Sequence, residues 1–191
     1  MIYIVRHGET DWNLIKREQG RIDIELNETG INQALILKEK LKDIKFDKVF
    51  SSPLKRAYKT ATILTNNNII KDDRLMERSG GELEGKYSYE IPNDIDFNDP
   101  NEKRFNIESI IDFRKRIKDF FDDILNNYPN KNILVVTHAG VGIYARCYFE
   151  GEPKDNNYDI YKLKNCDVLK YPNSLNDIKN YGYDIENYKI N

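Results

Sequence analysis

Arg6, His7 and His138 are the residues from which a chemistry can be read. The chain has two histidines, and each follows a short apolar run, Ile2 to Val5 in one case and Ile133 to Thr137 in the other. Open α/β proteins hold their ligands at the carboxyl edge of the sheet, where such strands would end. If these two strands end side by side, His7, His138 and Arg6 share one site. Arg56, just inside the helix expected after Ser51-Ser52-Pro53, projects over the same edge, and Asn13 lies in the loop after the first strand. Two guanidiniums, an amide and two imidazoles make a dense donor cluster, with no carboxylate expected beside it. A guanidinium matches phosphate oxygens in a two-pronged way, so the expected guest is a dianionic phosphoryl group.

A neutral imidazole nitrogen is also a nucleophile, and nearby arginines favour the neutral form. Attack on phosphorus would give a phosphohistidine and divide one hard displacement into two easier ones. Fixed cations would stabilise the charge spread over the equatorial oxygens, in place of a metal. The leaving alkoxide needs a proton. Glu77, in Leu75-Met76-Glu77-Arg78, is the candidate donor, because like charge beside a phosphate favours a protonated carboxyl. As a carboxylate it would then activate water. Each of these residues taken alone is ordinary: a histidine after a strand is usually structural, and Arg56, Glu77 and Asn13 read as surface-helix, loop and turn residues. Their combination carries the reading.

The elements that would position them alternate strand and helix. A polar loop runs from Glu9 to about Glu28. Thr29 then caps a helix over Gly30 to Leu41 with Ile31, Leu35 and Leu41 as apolar positions. Asp47 to Ser51 reads as a strand, and Ser52-Pro53 opens a helix that buries Ala57, Ala61 and Leu64. Ile69 to Lys71 reads as a third strand. Residues 79–107 carry glycines, prolines, Asn and Asp, and are expected to form a loop-rich excursion over the carboxyl edge, facing the substrate. A helix from Glu108 to about Asn127 comes next, with Ile111, Phe120, Ile124 and Leu125 as apolar candidates. After the strand ending at Thr137 come a helix over Gly140 to Phe149 and weaker strands near Lys162 and Val168. The last fifteen residues, rich in Tyr and Asn, take no assignment. The pattern suits one domain over residues 1–191.

Composition narrows the partners. Hydrophobic residues make up 39% and charged residues 32%, and the net charge is −2. No global field would draw the chain to nucleic acid or an anionic membrane. No stretch approaches the roughly 20 apolar residues of a membrane span, and the first strand lacks the basic flank of a signal peptide. Cys147 and Cys166 form no CxxC pair and suit a reducing compartment. The expectation is a cytoplasmic protein acting on a small molecule, with its oligomeric state open.

Ile4-Val5-Arg6-His7-Gly8-Glu9-Thr10, with Trp12-Asn13 behind it, resembles the signature of the histidine phosphatase superfamily, also called the phosphoglycerate mutase-like family. Further blocks come in order: Gln19-Gly20, Asp23, Leu26 and Thr29-Gly30; Ser51 to Ala57 with Thr60-Ala61; Leu75-Met76-Glu77 with Gly81 and Glu84-Gly85; Glu108-Ser109 and Arg116; Val136 to Val141. The resemblance covers roughly residues 1–170. It implies an α/β fold, a three-layer α/β/α sandwich with a mainly parallel sheet. It makes His7 the phosphorylated nucleophile and Glu77 the proton donor. Arg6, Arg56 and His138 would hold the phosphoryl group with help from Asn13, Gln19 and the backbone at Gly20 and Ala139. No metal or other cofactor is implied. Gly80 stands where many relatives carry an aromatic residue, Arg21 where an aromatic or polar one is common, and residues 86–106 match nothing closely. The expected function is a metal-independent phosphomonoesterase acting on a small phosphorylated metabolite. A bisphosphoglycerate-dependent mutase is the alternative, although mutases usually carry a basic insertion that is short and acidic here. A non-catalytic phospholigand-binding protein is a further alternative. A nucleotide-dependent kinase is excluded, since no GxxxxGK[ST] loop is present.

Overall fold

The structure, a computed structural model, describes residues 1–183, Ile185 and Tyr188. Its elements are β1 (Ile2–Arg6), α1 (Asp11–Leu14), α2 (Glu28–Leu41), β2 (Lys48–Ser51), α3 (Lys55–Leu64), β3 (Ile69–Lys71), α4 (Ile110–Asn127), β4 (Ile133–Thr137), α5 (Ala139–Glu150), β5 (Val168–Tyr171) and α6 (Leu175–Asn180). The sheet order is β3-β2-β4-β1-β5. β1 and β4 are parallel neighbours in the register Arg6↔Thr137, and only β5 runs antiparallel. β1 and β4 are continuous apolar runs because both faces of the sheet are covered, the usual reading of buried parallel strands.

One face packs against α4 and α5. Phe113, Ile117, Phe120, Phe121, Ile124 and Leu125 line the buried stripe of α4, at the spacing of an amphipathic helix. The other face packs against α2 and α3, through Leu37, Ala57, Ala61 and Leu64 on Tyr3, Val5, Leu134 and Val136. Burying each large apolar side chain contributes about 1.5–3 kcal/mol. This is the expected three-layer arrangement.

The fold corrects several local expectations. Asn27, not Thr29, caps α2: its Oδ1 accepts from Gly30 N at 2.8 Å. The buried residues of α2 are Gly30, Ala34 and Leu37, and Leu35 is 47% exposed. Small residues are needed there because α2 starts against the loop after β1. A Cβ on Gly8 would run into Gly30 backbone, and one on Gly30 into Glu9 backbone. Ile111 is likewise 38% exposed, while Ile110 is buried. No strand forms at Lys162; a short helical turn, Tyr158–Tyr161, precedes it. The alternation there buries Leu163 against Gly142 of α5 rather than joining a sheet edge. The expected loop after β1 contains α1, capped by Thr10. Part of the unassigned tail is α6, capped by Ser174; residues 184, 186, 187 and 189–191 of that tail lie outside the described residues.

Candidate active site

The site lies where β1 and β4 end. Their adjacency sets the two imidazoles 5.1 Å apart between ring centres, inclined at 62°. His7 is 3% exposed, and its Nδ1 lies 2.7 Å from Gly8 O. A carbonyl only accepts, so Nδ1 carries the proton and Nε2 keeps its lone pair. His7 N is tied to Thr137 O at 2.9 Å. Thr60 braces the next peptide: its Oγ1 accepts from Gly8 N at 3.0 Å and donates to Arg56 O at 2.7 Å. On the other side, His138 Nε2 meets Ser52 Oγ at 2.8 Å. His138 Nδ1 is buried without a hydrogen-bond partner among the described residues.

Burial is the leading reason that the pKa of both imidazoles falls well below the ordinary histidine value. Arg56 and Arg6 add to it at His7, and Arg56 and His7 at His138. The arginines named from sequence therefore act in the expected direction, but desolvation comes first.

Arg56 is 1% exposed, on the first turn of α3. Its Nη1 donates to Ile22 O at 2.8 Å and Nη2 to Gly20 O at 2.7 Å, which leaves Nε buried and unpartnered. Arg6 donates from Nη1 to Leu163 O at 2.6 Å, and its Nε is also buried and unpartnered. Asn13 accepts through Oδ1 from Thr10 N at 3.1 Å and from Asn165 Nδ2 at 3.3 Å, so its amide donors stay uncommitted among the described residues. Gln19 is buried with Oε1 unpartnered. Gly20 is occupied by the protein, through Arg56 on its carbonyl and Glu18 Oε1 on its N–H at 3.3 Å. Ala139 opens α5, whose N-terminus presents backbone N–H groups and the positive end of a helix dipole.

Glu77 reaches that same helix start. Its Oε2 accepts from Gly140 N at 3.0 Å and its Oε1 from Arg78 N at 2.8 Å. Arg116 of α4 holds the segment from behind, with Nη1 on Met76 O at 2.7 Å and Nη2 on Glu77 O at 3.1 Å. Glu108 pairs with Arg116 at 2.8 Å and with Arg21 at 3.2 Å, and accepts from Ser79 N at 3.1 Å. Glu108 and Arg116 were legible as part of a pattern; their work as a clamp was not.

The expected absence of carboxylates is wrong. Glu77, Asp23, Glu18 and Glu84 all favour the charge on Arg56, and Glu77 and Asp167 favour that on Arg6. Glu18 had no sequence signal. Burial, then Glu77 and Glu84 as like charges, push its pKa up. Asn165, which lies beyond the last of the resembling blocks, carries no signal in the sequence either. Its Nδ2 donates to His7 O at 3.0 Å as well as to Asn13.

The groups brought together can bind a phosphoryl group and offer an imidazole nitrogen to it. Comparisons agree with that chemistry. The model of the histidine phosphatase superfamily (branch 1) matches residues 2–181. An uncharacterized phosphatase, PhoE, of Bacillus subtilis is 37% identical over 147 residues, 75% of this chain and 74% of that one. A metal-independent phosphoserine phosphatase of Arabidopsis thaliana is 35% identical over 166 residues, 76% of this chain and 67% of that one. Among solved structures, a phosphoserine phosphatase mutant from Entamoeba histolytica in complex with phosphoserine superposes with a TM-score of 0.76 at 29% identity, over 87% of each chain. The chain belongs to the histidine phosphatase superfamily. It is a phosphoric monoester hydrolase of that type. No described helix is long and apolar enough to cross a membrane.

Proposed function

We propose that the protein hydrolyses a small phosphorylated metabolite through a phosphohistidine on His7, without a metal. The observation that carries this reading is the His7 Nδ1 hydrogen bond to Gly8 O, which commits the proton to one nitrogen and leaves Nε2 as the nucleophile. Nε2 forms a bond to phosphorus while the bond from phosphorus to the ester oxygen breaks. The electron pair goes to that oxygen, and Glu77 supplies its proton. Water then attacks phosphorus, Glu77 takes a proton from it, and the P–N bond returns its pair to Nε2. Arg6, Arg56, Asn13 and His138 hold the phosphoryl oxygens. Their buried unpartnered nitrogens, Arg6 Nε, Arg56 Nε and His138 Nδ1, support that role, as does the fit of a guanidinium to phosphate oxygens. A small phosphorylated hydroxy acid or amino acid is the substrate class that the phosphoserine-hydrolysing relatives support.

Phosphate release from an aryl phosphate at mildly acidic pH, in excess chelator, tests the reading. Wild type should turn over and His7→Ala should lose both turnover and the acid-labile phosphoenzyme. Full activity in His7→Ala would remove His7 as nucleophile. Activity that appears only after priming with bisphosphoglycerate would assign a mutase instead.

A further inference from the structure

The turn that leads into β5 reaches the catalytic edge of the sheet. Residues 164–167 are closed by Asp167 N on Lys164 O at 3.0 Å and braced by Lys164 N on Asp167 Oδ2 at 2.7 Å. Cys166, the third of them, has a φ of 60°, in the left-handed region that residues with a side chain adopt at a cost. The turn is docked on the end of β1: Arg6 N donates to Asp167 O at 3.2 Å, and Cys166 N donates to Arg6 O at 3.0 Å. It thereby holds Asn165 against the loop that follows β1. Asn165 Nδ2 donates to His7 O at 3.0 Å and to Asn13 Oδ1 at 3.3 Å. The orientation of both amides follows. His7 O can only accept, so Asn165 turns its NH₂ toward it. That NH₂ can only donate, so Asn13 must answer with Oδ1, and its own NH₂ faces the other way.

His7 does not depend on this contact. Its N is tied to Thr137 O, its Nδ1 to Gly8 O, and the peptide between it and Gly8 to Thr60. Asn13 is less secure. It sits on the four-residue α1, and apart from Asn165 its side chain is held only by Thr10 among the described residues. We propose that Asn165 is a positioning residue for phosphoryl transfer, which fixes the Asn13 amide so that its donors face the phosphoryl group. The inference rests on the reading of Asn13 as a ligand of that group. A merely structural Asn165 would tie the turn to His7 O and need no second acceptor.

Turnover of 4-nitrophenyl phosphate by wild type, Asn13→Ala, Asn165→Ala and the double variant forms a cycle that isolates the coupling of the two residues. Asn165→Ala should lower kcat/KM about ten-fold, the scale of one hydrogen bond that holds a reacting geometry. In the Asn13→Ala background the same change should lower it about two-fold or less. An equal loss in both backgrounds, or no loss in the wild-type background, overturns the inference, because a structural role acts whether or not the Asn13 amide is present. Asn165→Ser, small and at home in a turn, replaces Asn165→Ala in the cycle should the alanine variant melt below the assay temperature. Full activity in Asn13→Ala also overturns the inference, by removing the ligand that Asn165 is held to position. No turnover by wild type is a separate failure: it strikes the phosphatase reading itself, and the inference with it.

Discussion

Glu77 Oε1 fills the space in which a side chain on residue 140 would begin. A Cβ built on Gly140 would collide with it, while Gly140 N donates to the other carboxyl oxygen at 3.0 Å. The glycine therefore seats the proposed acid twice over, by leaving room and by offering a donor. Gly140→Ala should displace Glu77 while sparing the phosphoryl-binding arginines. The expected signature is a loss of about 10–100-fold in kcat on alkyl phosphates. A smaller loss is expected on activated aryl phosphates, whose leaving groups need less protonation. Equal losses on both substrate types would count against this account.

Glu77→Gln tests the acid itself. It keeps the volume and an acceptor oxygen for Gly140 N but removes the transferable proton. Turnover of alkyl phosphates should fall by about 10²–10⁴-fold, the range of general acid catalysis, with aryl phosphates affected far less. A flat dependence on leaving-group pKa in wild type, unchanged in the variant, would falsify the assignment.

Stability should depend on pH through the buried imidazoles. His7 and His138 are held well below the ordinary value of 6.5 in the folded state. As pH falls through that value the unfolded chain takes up protons and the folded chain does not. Their contribution is therefore fully present above about pH 6.5 and is lost as pH drops toward the folded values, at up to about 1.4 kcal/mol per pH unit for each imidazole. Urea unfolding at pH 7.5 and 5.5 measures this. His138→Gln should lose less stability across the interval than wild type, and an identical loss would refute the linkage.

Thr60 offers a stability test close to the site. Its hydroxyl bridges Gly8 N and Arg56 O, and it is fully buried. Thr60→Val keeps the shape and leaves a buried donor and a buried acceptor short of a partner, at a cost of about 1–3 kcal/mol. An unfolding free energy unchanged within about 0.5 kcal/mol would mean that water or a shifted backbone replaces the bridge.

The residues that end strands were readable from the chain because a buried parallel strand is an unbroken apolar run, and the residue just past it is fixed to one sheet edge. His7 and His138 come together for that reason alone. The residues that approach from loops were not readable. Glu18 enters the cleft because Gly20 and Lys86 hold its stretch of loop, a tertiary fact with no periodicity behind it. Asn165 reaches His7 O from a segment after α5 whose path is set by Leu163 on Gly142. The wrong cap and the wrong face of α2 share one cause: the close approach of Gly30 to Gly8 and Glu9 outweighs local propensity. It makes Ala34 and Leu37 the inward residues rather than Leu35.

The pairing of β1 with β4 joins Ile2 to Ile133, segments far apart in the sequence. Closing so long a loop is among the slowest and entropically most expensive contacts a fold can make. Neither half alone presents a pair of imidazoles between two guanidiniums. A chain still emerging from the ribosome thus has no partial catalyst to spend on passing phosphoesters until β4 can lie beside β1.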